Sequence, residues 1–115
     1  MKQVPFWASL TVLIALSPFG FSHPPDSLQI AFDSTGTVMS VTVFHPVKNP
    51  ANHYIDDVIV KIDGKQVIVQ SFPIQITNKL QEAIYKVIGL KTGAVVEMTA
   101  VCSITGRKTV KYTVP

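Results

Sequence analysis

From Leu28 onward, apolar and polar residues alternate with a period of two, the pattern of half-buried β-strands. Turn-forming residues interrupt this alternation at regular intervals, and the clearest of them, Asp63-Gly64, favours a tight β-hairpin. The segment 80–87 also fits a short helix, but its β-branched and aromatic residues favour a strand. The pattern predicts seven strands, at 28–32, 37–44, 54–62, 66–72, 80–87, 94–102 and 107–114.

Seven short strands separated by turns predict an all-β fold, an immunoglobulin-like antiparallel β-sandwich. A chain of 115 residues has room for one such domain. Its 47% of apolar residues and 15% of charged residues exclude a chain that is disordered throughout. The basic residues form no stripe with aromatic residues between them, so we expect no nucleic acid as partner.

The N-terminal segment has a different composition from the rest of the chain. Lys2 precedes an uncharged, mostly apolar run from Pro5 to Leu16, which is typical of a secretory signal peptide and too short to span a membrane comfortably. The small residues at Gly20 and Ser22 predict cleavage before His23. We therefore expect a signal peptide at 1–22, a folded domain at 23–115, and a periplasmic or secreted protein without a transmembrane segment after cleavage. An uncleaved membrane anchor is the alternative interpretation of the same run.

Cys102 is the single cysteine of the chain, which excludes an internal disulfide. Alternation along 94–102 places it on the same apolar face as Val96, Met98 and Ala100. Its thiol therefore either packs as a small hydrophobic group at the end of a core-facing row or binds a metal at the rim of the sheet.

The three histidines are the other candidate metal ligands. His45 and His53 bracket a loop that contains two prolines, and His23 precedes the first strand. Imidazole and thiolate groups suit iron, zinc or copper better than magnesium or calcium. We expect His45, His53 and Cys102 to meet at one end of the sandwich, which His23 reaches only if the N-terminal segment wraps around.

Three segments of the chain, in order, resemble the iron domain of superoxide reductase, also called desulfoferrodoxin or neelaredoxin. They are His23-Pro-Pro, the stretch from His45-Pro to His53-Tyr-Ile55, and Cys102-Ser-Ile-Thr105-Gly106. The resemblance implies an immunoglobulin-like sandwich that holds one iron ion. It also implies an oxidoreductase that reduces superoxide with electrons from an external donor. The oligomeric state stays open, and a homo-oligomer is an alternative to a monomer. The implied metal ligands are His23, His45, His53 and Cys102.

The chain departs from the family pattern at its last ligand, at the residues before the first histidine, and in a longer loop between His45 and His53. The family has a further histidine ligand where this chain has Thr105. It also has a glutamate and a lysine just before the first histidine, and here those positions hold Phe21 and Ser22. Lys48, in the loop between His45 and His53, is the nearest substitute for that catalytic lysine.

Two other functions are compatible with the same residues. One is a non-catalytic β-sandwich binding module, in which Cys102 is a packed thiol and the histidines are incidental. The other is a copper-binding protein that uses the free amine and the imidazole of His23 after cleavage. Stoichiometric iron, copper or no metal in the purified protein would distinguish the three functions.

Overall fold

The computed structural model describes residues 23–115, and this part of the chain contains seven β-strands and no helix. The predicted seven strands are confirmed, and the segment that also fitted a helix is a strand. The predicted signal peptide at 1–22 lies outside the described residues. The strands are β1 Ser27–Phe32, β2 Val38–Phe44, β3 Ile55–Ile62, β4 Lys65–Ser71, β5 Leu80–Lys86, β6 Val95–Cys102 and β7 Arg107–Thr113.

The strands form two antiparallel sheets. One sheet has the strand order β1-β2-β5, and the other has the order β4-β3-β6-β7. This division of consecutive strands between two sheets is the predicted immunoglobulin-like sandwich, with the fourth strand paired to the third. Within residues 23–115, no helix is long and apolar enough to cross a membrane.

The core lies between the inner faces of the two sheets, and along β2 and β6 every second residue is apolar and buried. Burying one such side chain stabilises the fold by about 1.5–3 kcal/mol relative to leaving it exposed. The predicted face of β6 is buried along its whole length, including Cys102, which is 4% exposed. The most deeply buried strand residues are Met39, Val41 and Val43 of β2, Ile55, Val58 and Val60 of β3, and Val96, Met98 and Ala100 of β6.

A β-bulge interrupts the pairing at the start of β3. Ile55 lies opposite Cys102 and Asp57 lies opposite Val101, so β3 carries one extra residue at this point. Because of this residue, Ile55 and Val58 both face the core, although strict alternation would place them on opposite faces. The bulge thereby sets the direction in which the chain that precedes β3 leaves the sheet.

Four connecting segments meet at one end of the sandwich, which we call the site end. They are residues 23–26, 45–54, 72–79 and 103–106. Ser27 pairs with Phe44, so β1 begins beside the end of β2. His23 therefore reaches the site end directly, and the wrapped N-terminal segment that we expected from the sequence is not needed.

Candidate metal centre

The imidazole rings of His23, His45 and His53 form a cluster at the site end. Their ring centroids are 5.0 Å apart for His23 and His45, 5.3 Å for His23 and His53, and 4.9 Å for His45 and His53. One candidate ligand atom from each residue lies within 4.8 Å of the other two. The cluster could therefore hold a metal ion.

His45 directly follows β2 and is completely buried. Its backbone N–H donates to the carbonyl oxygen of Lys79 over 2.9 Å, which fixes the residue against the start of β5. Its ring Nδ1 lies 2.8 Å from Oε1 of Gln75. Burial removes water from the ring and lowers the pKa of His45 below its ordinary value. Burial thus favours the neutral ring, which is the form that binds a metal.

His53 is brought to the cluster by a turn centred on Asn49. The carbonyl oxygen of Asn49 accepts from the backbone N–H groups of Asn52 and His53, and its side-chain Oδ1 accepts from Ala51. This folds the loop that begins at His45 back on itself, as asparagine side chains commonly do in turns. Burial, followed by the proximity of His45 and His23, lowers the pKa of His53 as well.

His23 is oriented by the residue that follows it. Its Nδ1 lies 2.9 Å from the carbonyl oxygen of Pro24. A carbonyl oxygen can only accept, so Nδ1 carries the proton of the neutral ring and Nε2 has the free lone pair.

Gly106 contacts Pro24 and thereby fixes the position of the segment that carries His23. Its φ of +90° is a conformation that glycine adopts readily and other residues do not. A Cβ atom at this position would lie 2.8 Å from the backbone nitrogen of Pro24 and 2.9 Å from its Cα. The close approach of these two backbones therefore requires glycine.

Three buried side-chain nitrogen or oxygen atoms among the described residues have no hydrogen-bond partner. Two of them are Nε2 of His45 and Nε2 of His53, and the third is the hydroxyl of Tyr85, whose pKa burial raises to about 12. Leaving such an atom unpaired costs about 1–3 kcal/mol. Two of these atoms in one cluster fit a shared metal ion, which would accept both lone pairs.

The spacing of the cluster also fits a metal ion. Tetrahedral coordination with metal–nitrogen bonds of about 2.0–2.1 Å requires nitrogen atoms about 3.3 Å apart. The candidate ligand atoms lie within 4.8 Å of one another, so small rotations of the rings would bring them to that spacing.

Cys102, the fourth predicted ligand, is not part of this group of atoms. It ends β6 at the same end of the sandwich, and its Sγ lies 3.5 Å from the backbone nitrogen of Ile104, which donates to it. Ile104 in turn lines the cavity beside His23 and His53. The structure thus brings three of the four predicted ligands together, and ligation by Cys102 stays a prediction.

A cavity of about 600 Å³ lies beside the cluster. Lys48 is exposed at this cavity, and no carboxylate lines it. The cavity therefore has a positively charged side chain and no negatively charged one. Thr105, where the superoxide reductase family has its further histidine, is exposed in the turn 103–106. The lining residues are His23, Pro46, Val47, Lys48, Asn49, Asn52, His53 and Ile104.

Gln75 is a residue of the site that the sequence did not indicate. It lies in the connection between β4 and β5, is 2% exposed, and contacts the ring of His45. A glutamine in a loop belongs to no metal-binding motif. The one signal in the sequence is the position of Gln75 between two apolar residues, Ile74 and Ile76. In the structure these two isoleucines are exposed and Gln75 is buried.

Neither a protein-family model nor a curated protein sequence matches the chain. The function must therefore be inferred from the chemistry of the site. Three histidine ligands with space beside them are typical of metal sites that keep a coordination position for a small molecule.

We predict that Gly106→Ala weakens metal binding, because the new methyl group displaces Pro24 and with it His23. Gly93→Ala is the matched control, since Gly93 has a φ of +87° and no atom within 4 Å of an added Cβ. Both variants should lose about 1–2 kcal/mol of stability from the strained backbone, and Gly106→Ala should lose more because its methyl group meets the backbone of Pro24. Only Gly106→Ala should lower the affinity for Co²⁺ in a spectroscopic titration. Equal affinities of the two variants would contradict this role of Gly106.

Proposed function

We propose that the protein binds one transition-metal ion through the Nε2 atoms of His23, His45 and His53. The observation that carries this proposal is the pair of buried Nε2 atoms, on His45 and His53, without hydrogen-bond partners. Neutral imidazoles are ligands for iron, zinc, copper and nickel. The cavity at the cluster leaves room for a small molecule beside the ion.

The alternative of a binding module without a metal is less well supported. In such a protein the desolvation of two imidazole nitrogens would reduce stability without any compensating bond. An isolated buried histidine normally has partners for both of its ring nitrogens. The cluster is therefore better explained by metal binding than by packing.

We predict that the protein, purified without a histidine tag, binds one equivalent of Co²⁺ or Zn²⁺. Metal bound to the folded state alone raises stability, by about 2.7 kcal/mol when the free metal is at 100 times its Kd. Substituting His45→Ala or His53→Ala should remove most of this increase, measured by thermal unfolding with and without metal. Circular dichroism of each variant would verify that the sandwich is intact. Unchanged binding in both variants would contradict the proposal.

The resemblance to superoxide reductase extends this proposal to iron. A bound iron ion would supply one-electron redox chemistry at the site. His23, His45 and His53 would hold it, and the thiolate of Cys102 is the additional ligand that the resemblance implies. Reduction of superoxide would take its electron from an external donor and its protons from solvent. The signal-peptide pattern at 1–22 supports a periplasmic or secreted location for this activity.

Ligation by Cys102 can be tested by spectroscopy. If the thiolate binds, the Co²⁺-loaded or iron-loaded protein should have a sulfur-to-metal charge-transfer band that Cys102→Ser abolishes. The variant should remain folded, because serine is close to cysteine in size and position. An identical spectrum for Cys102→Ser would mean that the site binds the metal through the histidines without the thiol. That result would leave the metal-binding proposal standing and would exclude a metal site of the superoxide reductase type.

Lys48 would attract anions toward the bound metal, since it is the charged side chain among the described residues that line the cavity. We predict that Lys48→Ala lowers the affinity of the Co²⁺-loaded protein for azide by up to about fivefold. A fivefold change corresponds to about 1 kcal/mol, the Coulomb energy of two unit charges about 4 Å apart in water. Added salt should reduce the difference from the wild type. Lys65→Ala, at the opposite end of the sandwich, is the control. Equal azide affinities of the wild type and Lys48→Ala would exclude this role.

The copper alternative, with the amine of His23 as a ligand, is less consistent with the orientation of that residue. An amine and an imidazole of the same histidine chelate a metal through Nδ1, because Nε2 lies too far from the backbone. Here Nδ1 of His23 donates to the carbonyl oxygen of Pro24. This contact favours Nε2 as the metal ligand.

A further inference from the structure

The side chain of Gln75 uses its full hydrogen-bonding capacity at the site end. Its Oε1 lies 2.8 Å from Nδ1 of His45 and accepts from the backbone N–H of Ile55 over 3.1 Å. Its Nε2 donates to the carbonyl oxygens of His45 and Thr77, over 2.8 and 3.0 Å. One buried side chain thus ties together the loop after β2, the start of β3 and the connection before β5.

These backbone partners leave one orientation for the amide of Gln75. The two carbonyl oxygens can only accept, so they must face the NH₂ group, and the N–H of Ile55 can only donate, so it must face Oε1. Oε1 therefore also faces the ring of His45, whose Nδ1 must donate to it. A neutral imidazole has one N–H group, so the lone pair of His45 lies on Nε2, the atom at the cluster.

We infer that Gln75 is a positioning residue for the metal centre. It fixes the tautomer and the orientation of the His45 ring, and it thereby sets the affinity of the site for metal. This inference rests on the proposed function, because Gln75 can orient His45 for a metal ion only if the cluster binds one. Groups that hydrogen-bond to a ligating histidine typically change metal affinity 10- to 100-fold when they are removed.

Gln81 offers a matched comparison within the same fold. It is also a buried glutamine, 5% exposed, and it makes one hydrogen bond through each end of its amide, to the backbone of Ile76 and of Glu82. It makes no hydrogen bond to a histidine ring. The loss of Gln81 should therefore lower stability without changing the tautomer of His45.

The experiment compares the full-length wild type with Gln75→Leu, Gln75→Glu and Gln81→Leu. Two-bond ¹⁵N–¹H NMR spectra of the metal-free proteins identify the protonated nitrogen of His45, and competition with a chromophoric chelator gives the affinity for Co²⁺. We expect the proton on Nδ1 in the wild type and in Gln81→Leu, with similar affinities. Gln75→Leu should contain both tautomers of His45 and bind Co²⁺ about 10- to 100-fold more weakly. Gln75→Glu keeps an acceptor for Nδ1–H and should keep the tautomer, but its second oxygen faces the carbonyl oxygens of His45 and Thr77, so it should lower stability.

Three results would overturn the role of Gln75. The first is a proton on Nε2 of His45 in the wild type, which needs no variant to be observed and decides the question even if Gln75→Leu does not fold. The second is an unchanged affinity in a folded Gln75→Leu, and the third is an equal loss of affinity in Gln81→Leu. A wild type with the proton on Nδ1 that binds no Co²⁺ would instead refute the proposed function, so the two failures are distinguishable.

Discussion

A fully buried imidazole loses the hydrogen bonds that both of its nitrogens make to water. His45 regains one of them through Nδ1 and Gln75, and its Nε2 regains none from the protein. The other residues of the site lie around this unpaired Nε2 atom. His53 brings a second buried Nε2 into the same cluster, and His23 presents its own Nε2 from a different part of the chain. Two of the three buried polar atoms without a partner among the described residues thus lie at one point, and the third, the hydroxyl of Tyr85, lies toward the other end of β5.

The antiparallel sandwich explains how residues distant in sequence reach that point. Alternate strands run in opposite directions, so the start of β1, the end of β2 and the start of β3 all lie at the site end. The turn after β6 closes the same end. Because each histidine lies within a few residues of a paired strand, the sheets limit how far the rings can move. The cluster is therefore held by the fold as a whole and not by one flexible loop.

The strands could be predicted from the sequence because alternation with a period of two reports directly which face of a strand is buried. The same alternation placed Cys102 correctly on the core face of β6. It could not show how the chain leaves the sheet at the bulge before Asp57, nor that β1 begins beside the end of β2. For this reason His23, which the sequence predicts as the most distant ligand, lies in the cluster, whereas Cys102 lies outside it.

Gln75 was beyond prediction for a different reason. Its importance comes from four hydrogen bonds to partners in three segments, and none of these partners is near enough in sequence to make a motif, except Thr77. Polar residues in loops are usually solvated, so composition gives no sign that one of them is buried. Such a residue becomes recognisable only when the packing of the segments around it is known.

The contact between Gly106 and Pro24 has a consequence for the order of folding. It joins the segment before β1 to the turn between β6 and β7, so the position of His23 depends on a hairpin that is synthesised after the segments that carry His45 and His53. The segment beside His53 also depends on this turn, because Tyr54 exchanges hydrogen bonds with Ser103, so both His23 and His53 are fixed only when β6 and β7 have paired. Tight metal capture would therefore be a late event, which restricts the ion to chains that have completed their fold.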